Sequence, residues 1–166
     1  MRNRHPRLRL DRRAIVGALR LLDAHHAALE TGGSVLANVH ELSLAFLTEG
    51  ELAGLHGRFL ADPSATDVIT FPGQPALGVA GEICVSADAA LRYTAAHGRD
   101  LSAELTLYVV HGWLHLAGHD DLAPAPRRAM RRAEARALAL LRAAGAIPHF
   151  TTRPLPKIRA IRRVPG

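Results

Sequence analysis

The stretch HGWLHLAGHDD, residues 111–121, places three histidines and two aspartates in an otherwise apolar segment. Residues four apart on a helix share a face, so His111 and His115 would project side by side and could bind one metal ion. Gly118 lets the chain leave the helix and turn back, which would bring Asp121 to the same ion. Two imidazoles and one carboxylate leave a fourth tetrahedral position open to water, the pattern of a catalytic zinc site.

The third ligand has an alternative. His119 lies four residues after His115, so a helix that continued through Gly118 would make His119 the third ligand and leave Asp121 in the outer shell. Two histidines on a helix can also form local hydrogen bonds without any metal. The glycine favours a helix that has stopped, and therefore Asp121 as the ligand.

A zinc peptidase is the first enzyme class that this spacing suggests, but its H-E-x-x-H motif uses a glutamate next to the first histidine as general base. Residue 112 is glycine, so that proton acceptor is missing. Asp120 and His119 are the candidate replacements, because both lie close to the predicted ligands in the sequence.

Hydrophobic periodicity and turn residues predict the helices and strands that must hold these residues. A helix over 102–117, with Leu105, Val109 and Trp113 on one side, places the metal motif at a helix C-terminus. Strands are predicted at 6–10, 34–44, 66–73 and 81–86, and further helices at 11–30, 48–60, 86–97 and from 124 to the glycine at 145. Cys84, in the strand 81–86, is interpreted as a small core residue.

The chain length of 166 residues and the composition favour one soluble domain. One cysteine cannot form an intramolecular disulfide, and the N-terminal MRNRHPRLRL has no apolar run typical of a secretory signal. No stretch is apolar for long enough to span a membrane. We therefore expect a cytoplasmic protein, with residues 1–146 as the domain and 147–166 as a basic flexible tail.

The net charge of +6 is unevenly distributed. Residues 1–13 contain six arginines and one aspartate, and residues 122–166 contain eleven basic residues and one carboxylate, Glu134. The segment between them, 14–121, contains four arginines and thirteen carboxylates. Basic ends around an acidic middle favour a protein that binds a polyanion with its ends and a cation with its centre.

Two blocks resemble the YbeY family of bacterial metal-dependent endoribonucleases. TDVITFP at 66–72 with GEICVS at 81–86 is similar to the family's strand pair, and HGWLHLAGHDD is similar to its H-G-x-L-H-L-x-G-Y-D-H signature. The likeness covers about residues 5–145. It implies an α+β fold with a small mixed four-stranded sheet flanked by about five helices, and a metal site at the C-terminal end of a helix.

By this resemblance, the metal ligands fall on His111, His115 and Asp121, where the family's third ligand is normally histidine. A carboxylate admits harder ions, so the expected cofactor is one Zn²⁺, with Mn²⁺ or another divalent ion as an alternative. The chain also departs from the family at His119, which occupies the usual tyrosine position. Leu60 stands where the family has a substrate-positioning arginine, and Arg58 is a candidate to compensate.

The resemblance implies hydrolysis of single-stranded RNA in ribosomal RNA maturation and ribosome quality control. The expected partners are ribosomal RNA and the small ribosomal subunit, with no membrane and no DNA. Two alternatives are a non-catalytic ribosome-associated factor with a structural metal, and a zinc hydrolase of peptides or small molecules. A fourth metal position that faces a cleft would argue against the first, and a basic rim would argue against the second.

Overall fold

The computed structural model describes residues 1–39, 41–60, 64 and 66–154, with Leu60 described by its backbone alone. The strands are β1 (Arg2–Asn3), β2 (Leu8–Leu10), β3 (Glu41–Leu47), β4 (Val68–Pro72), β5 (Val79–Ser86) and β6 (Phe150–Thr152). The helices are α1 (Arg12–Ala24), α2 (Glu49–Leu60), α3 (Ala87–His97), α4 (Leu101–Leu116) and α5 (Pro124–Ala143). Short 3-10 turns lie at His26–Leu29 and Pro75–Leu77.

Four strands form one mixed sheet in the order β1-β3-β5-β4. Strands β1, β3 and β5 are parallel, and β4 pairs antiparallel with β5 from Val68 opposite Val85 to Pro72 opposite Gly81. The remaining strands, β2 and β6, form a separate antiparallel pair. Five helices flank this architecture, so the α+β fold with a mixed four-stranded sheet is confirmed.

Helix α4 packs across one face of the sheet and forms the centre of the larger core. Trp113, Leu105 and Leu114 are fully buried on it, as are Ile83 and Val85 on β5. A helix that is apolar on nearly all sides is expected to be covered on nearly all sides. Few residues of α4 are accessible to solvent, and His111 and His115 are among the partly accessible ones.

Helix α2 covers part of the opposite sheet face with a smaller core. Leu52 of α2 packs there with Ala45, Leu47, Ile69 and Cys84. Burial first, and then the negative charge of Glu82, raises the pKa of the Cys84 thiol to about 12. The thiol therefore stays protonated, and its interpretation as a core residue is confirmed.

The start of α2 follows the capping pattern that the sequence predicts. The Thr48 hydroxyl accepts a hydrogen bond from the Glu51 backbone N–H (3.3 Å), and the Glu51 carboxylate accepts one from the Thr48 backbone N–H (3.1 Å). This reciprocal capping box satisfies two N–H groups at the helix terminus. It fixes the point at which β3 ends and α2 begins.

The predicted strand 34–44 is wrong in its first half, because β3 begins at Glu41. Residues 34–36 are held instead by the buried carboxylate of Asp23 on α1. It accepts hydrogen bonds from the Ser34 hydroxyl and from the backbone N–H groups of Val35 (2.7 Å) and Leu36 (3.1 Å). Backbone N–H groups that bind a side chain cannot also bind a neighbouring strand. Residues 34–36 therefore form a loop that packs on the core, despite the alternating apolar pattern of this segment.

Two predicted boundaries also differ. The helix predicted over 11–30 ends at Ala24 and gives way to the 3-10 turn, after which Glu30 adopts a left-handed conformation (φ 57°). Phe150–Thr152 forms β6 inside the segment predicted as tail, because Phe150 is buried against Phe46 with ring centroids 5.5 Å apart. The segment 155–166 of that tail lies outside the described residues. Within the part of the chain that the structure describes, no helix is both long and apolar enough to cross a membrane.

Gly112 allows the close approach of α4 to the sheet. A Cβ at this position would lie 2.5 Å from Ile83 Cγ2 and 3.2 Å from Val68 Cγ1. Gly112→Ala should therefore lower the free energy of unfolding by about 1–3 kcal/mol through overpacking, despite the better helix propensity of alanine. Urea denaturation measures this change.

The control is Gly17→Ala in α1, where a Cβ would meet no atom within 4 Å. This variant should be neutral or stabilised by up to about 1 kcal/mol, because only the helix propensity changes. Equal effects of the two substitutions would contradict the packing argument.

Candidate metal centre

The end of α4 and the loop after it bring together the three side chains predicted as ligands. His111 and His115 lie one turn apart on α4, with their Nε2 atoms 3.0 Å from each other. The helix ends at the cap residue Ala117, and Gly118 follows with φ 95°, a conformation that favours glycine. The chain then turns back, which places the Asp121 carboxylate 3.9 Å from His111 Nε2 and 3.7 Å from His115 Nε2.

The hydrogen bonds behind the two imidazoles fix their tautomers. His111 Nδ1–H donates to Glu134 Oε1 on α5 (2.7 Å), and His115 Nδ1–H donates to the backbone carbonyl of His119 (3.1 Å). A carboxylate and a carbonyl only accept, so in the neutral rings both Nδ1 atoms carry the proton and both Nε2 atoms present lone pairs. Two such lone pairs that face each other at 3.0 Å, beside a carboxylate, repel each other unless a proton or a cation lies between them.

The spacing of the three groups fits a single cation. One ligand atom from each of His111, His115 and Asp121 lies within 4.8 Å of the others. Tetrahedral ligands at 2.0–2.2 Å from an ion are about 3.3–3.6 Å apart. The observed separations of 3.0, 3.7 and 3.9 Å span this range, so small side-chain movements would close the site on an ion.

The two histidines have opposite pKa shifts. Burial acts to lower the pKa of His111, but the hydrogen bond and charge of Glu134, together with Asp121 and Asp67, outweigh it and raise this pKa. Burial and the neighbouring His111 lower the pKa of His115, against a smaller effect of Asp121. A proton therefore prefers His111 and competes with a cation there.

The loop that carries Asp121 is held by its neighbours. The Asp120 carboxylate accepts hydrogen bonds from the backbone N–H groups of Asp121 (2.7 Å) and Leu122 (3.1 Å). Arg127, in the first turns of α5, donates its Nε–H to the Asp121 carbonyl (2.9 Å). Arg127 is thus a positioning residue for the third ligand, because it ties the loop to α5.

His119 and Asp120, the candidate proton acceptors, are directed elsewhere. His119 Nε2 lies 3.3 Å from the Leu29 carbonyl, and Asp120 binds the loop backbone. Among the described residues, the side chains of His119 and Asp120 form no hydrogen bond to the side chains of His111, His115 or Asp121. The part of His119 that reaches the centre is its carbonyl, which orients His115.

A cleft of about 450 Å³ opens beside the centre. Its lining includes His111, Asp121 and Glu134, and it is bordered by the exposed side chains of Arg127 and Arg131. A cation held by the three groups would therefore face an accessible space with basic residues at its edge. That arrangement suits a phosphate-containing substrate better than a closed structural metal.

Three residues of this centre were missed by sequence reasoning: Glu134, Arg127 and Asp67. A signal for Glu134 was present, since it is the one carboxylate in the basic segment 122–166. Asp67 lines the cleft and raises the pKa of His111 from the N-terminal end of β4. The side chain of Leu60, at the family's arginine position, lies outside what the structure describes, and Arg58 donates to the Gly54 carbonyl of its own helix.

The fold and the centre define a small α+β protein in which two histidines and an aspartate could hold a cation beside a basic cleft, an arrangement typical of metal-dependent hydrolases. Residues 12–142 match the family model described as Endoribonuclease YbeY, and the chain belongs to this family.

Two relatives illustrate the similarity. An Endoribonuclease YbeY of Chlamydia pneumoniae is 40% identical over 111 residues, which cover 62% of this chain and 70% of the relative. The one of Rhodopirellula baltica is 45% identical over 91 residues, 52% of this chain and 46% of the relative. A Thermotoga maritima protein solved in solution aligns with a TM-score of 0.51 at 21% identity, over 81% of this chain and 87% of that one, which shows a shared fold.

Glu134→Gln should weaken metal binding about 10–100-fold at neutral pH, because the carboxylate orients His111 and makes Nε2 more basic. It should also lower the pKa of His111, so that protons displace the metal at a lower pH than in the wild type. Calorimetric titration with Zn²⁺ across a pH series measures both effects.

Glu30→Gln is the matched control, because Glu30 also pairs with α5, through Arg136 at 3.1 Å, but does not contact the centre. It should bind Zn²⁺ like the wild type. Unchanged affinity and an unchanged pH profile in Glu134→Gln would show that Glu134 does not support the ligand.

Proposed function

We propose that this chain is an endoribonuclease that uses one divalent cation, held by His111, His115 and Asp121, to cleave single-stranded RNA in ribosomal RNA maturation and ribosome quality control. The main observation behind this proposal is that two Nε2 lone pairs and a carboxylate converge at the wall of an open cleft with arginines at its edge. Membership of a family whose relatives are named endoribonucleases supports the proposal.

Zn²⁺ is the proposed ion, since two imidazoles and a carboxylate are a common donor set for it. Mn²⁺ is the alternative, because the Asp121 oxygen is a harder ligand than a third imidazole. When bound, such an ion lowers the pKa of a coordinated water and neutralises phosphate charge in the transition state.

The chain's own residues prepare the site for this chemistry. Glu134 keeps the His111 proton at Nδ1, and the His119 carbonyl does the same for His115, so that both Nε2 atoms stay available. Arg127 holds the loop of Asp121 in place. Arg131 lies at the cleft without an ion-pair partner among the described residues, so its guanidinium is free to bind a phosphate oxygen.

The cleft extends past the metal centre. Asp67 and Tyr108 line both the metal cleft and a second cavity of about 590 Å³, which also contacts Arg92 and Tyr93. Tyr93 is partly exposed and stacks on His97 with ring centroids 4.1 Å apart. A strand of RNA that crosses the metal centre would therefore meet further arginine and aromatic side chains on α3.

The alternatives are not favoured. A purely structural metal would be enclosed by protein, whereas His111 and Asp121 line an accessible cleft. A peptidase of the H-E-x-x-H type needs a glutamate at 112, where even a Cβ would lie 2.5 Å from Ile83. The ribosomal RNA target, the small ribosomal subunit as partner and a cytoplasmic location complete the proposal. The relatives' name supports RNA as the class of substrate.

His111→Ala should lose bound metal and RNA cleavage while RNA affinity stays within about twofold, because the arginines that bind phosphate are unchanged. Asp121→Ala should behave in the same way. Metal analysis, cleavage of ribosomal RNA with and without a chelator, and filter binding provide the three readouts.

His119→Ala separates the two candidate third ligands, since its ring contacts the Leu29 carbonyl and it should retain the metal. His25→Ala, at an exposed histidine beyond the centre, controls for loss of any imidazole. If metal-stripped protein still cleaves RNA, the assignment of the metal centre is wrong. If His119→Ala loses the metal while Asp121→Ala retains it, the assignment of Asp121 as the third ligand is wrong.

Arg131→Gln should weaken RNA binding and reduce the slope of log affinity against log salt by about 1, the value for one lost phosphate contact. Arg132→Gln is the control, because Arg132 is the next residue of α5 and does not line the cleft. Fluorescence anisotropy across a salt series measures both slopes. Equal slopes for the two variants would show that the cleft edge is not a phosphate site.

A further inference from the structure

A third cavity, distinct from the two beside the metal centre, lies on the sheet face opposite α4. It has a volume of about 710 Å³ and is formed between α2 and the strands. Along β4, Val68 and Thr70 lie beneath α4, whereas Ile69 and Phe71 belong to the opposite side with Cys84. Because β4 is an edge strand, the two faces meet along one exposed edge.

The cavity floor is lined mainly by apolar side chains. Ala45 and Cys84 provide small side chains there, and Phe71 borders them on the β4 side. Phe59 of α2 packs edge-on to Phe71 with ring centroids 5.3 Å apart, yet 64% of Phe59 remains exposed. An aromatic ring that is supported on one side and open on the other is a stacking platform.

Glycines on α2 keep the cavity open. Gly50 and Gly54 are one turn apart on the wall, and a Cβ at either position would meet no atom within 4 Å. Gly54 lies in the interior of α2, where a glycine costs about 1 kcal/mol relative to alanine. No close contact at these two positions excludes a larger side chain. The effect of the glycines is therefore to leave the cavity open.

The charge of the rim identifies the class of ligand. Arg2, Arg4 and Arg58 contribute three guanidinium groups, against the carboxylates of Glu51 and Glu82. Arg4 is paired with Glu51 at 3.0 Å, whereas Arg2 makes no ion pair within the described residues. An apolar cavity with an aromatic wall and an arginine that makes no ion pair among the described residues suits a base attached to a phosphate.

We propose that this cavity binds a nucleotide of the substrate RNA, with the base against Phe59 between α2 and the sheet, and the phosphate on Arg2 and Arg58. The site would hold the strand after it passes over the β4 edge from the metal cleft. The assignment rests on the proposed function, since it takes the substrate to be single-stranded RNA.

The test is binding of a fluorescent, unstructured RNA of about 12 nucleotides to full-length protein with metal removed by a chelator, so that cleavage does not interfere. Gly54→Trp should fill the cavity and weaken binding about tenfold, the size of one base–aromatic stack. Phe59→Ala should weaken it similarly, and the double variant should be no weaker than either single one. Amide NMR signals of Gly50 and Gly54 should shift on RNA addition.

Gly17→Trp is the control, because it adds the same side chain to an open position on α1. It should bind RNA like the wild type, and the melting temperatures should show that all variants fold. Wild-type RNA affinity in both Gly54→Trp and Phe59→Ala would overturn the inference. The inference would also be overturned if these variants lost association with ribosomes while their RNA affinity stayed unchanged, because that result would indicate that the cavity binds a protein. If wild-type protein neither binds nor cleaves RNA, the proposed function itself fails.

Discussion

The centre depends on a constraint that acts behind the ligands. Glu134 and the His119 carbonyl each accept the Nδ1 proton of one histidine, so the two Nε2 lone pairs must face each other. Without a cation or a proton between them, this arrangement is repulsive. The binding energy of a cation held at this position would therefore be coupled to the folded geometry.

The sequence predicts the parts of this centre that are local. His111 and His115 share a helix face through the 3.6-residue repeat, and Gly118 ends that helix because it adopts φ 95°. Both consequences follow from spacing and backbone chemistry alone. Glu134 and Arg127 reach the centre from α5, and no local pattern states which face of α5 packs against α4. Those contacts come from tertiary packing.

The same distinction explains the fold. The β4–β5 hairpin and the capped start of α2 were predictable because their residues interact with near neighbours. The first half of the strand predicted over 34–44 is wrong because Asp23, eleven or more residues away, accepts the hydrogen bonds of residues 34–36. Its apolar pattern marks Val35 correctly as buried, but the pattern does not show what satisfies the backbone.

The two faces of the sheet use glycine for different purposes. On α4, Gly112 brings the helix so close to Ile83 that the position has no room for a side chain. On α2, Gly50 and Gly54 contact nothing at the Cβ position and leave volume behind. Packing therefore makes the first face rigid, as a metal centre with fixed ligand positions requires. The second face retains space and an exposed aromatic ring, which suits a surface that tolerates different bases.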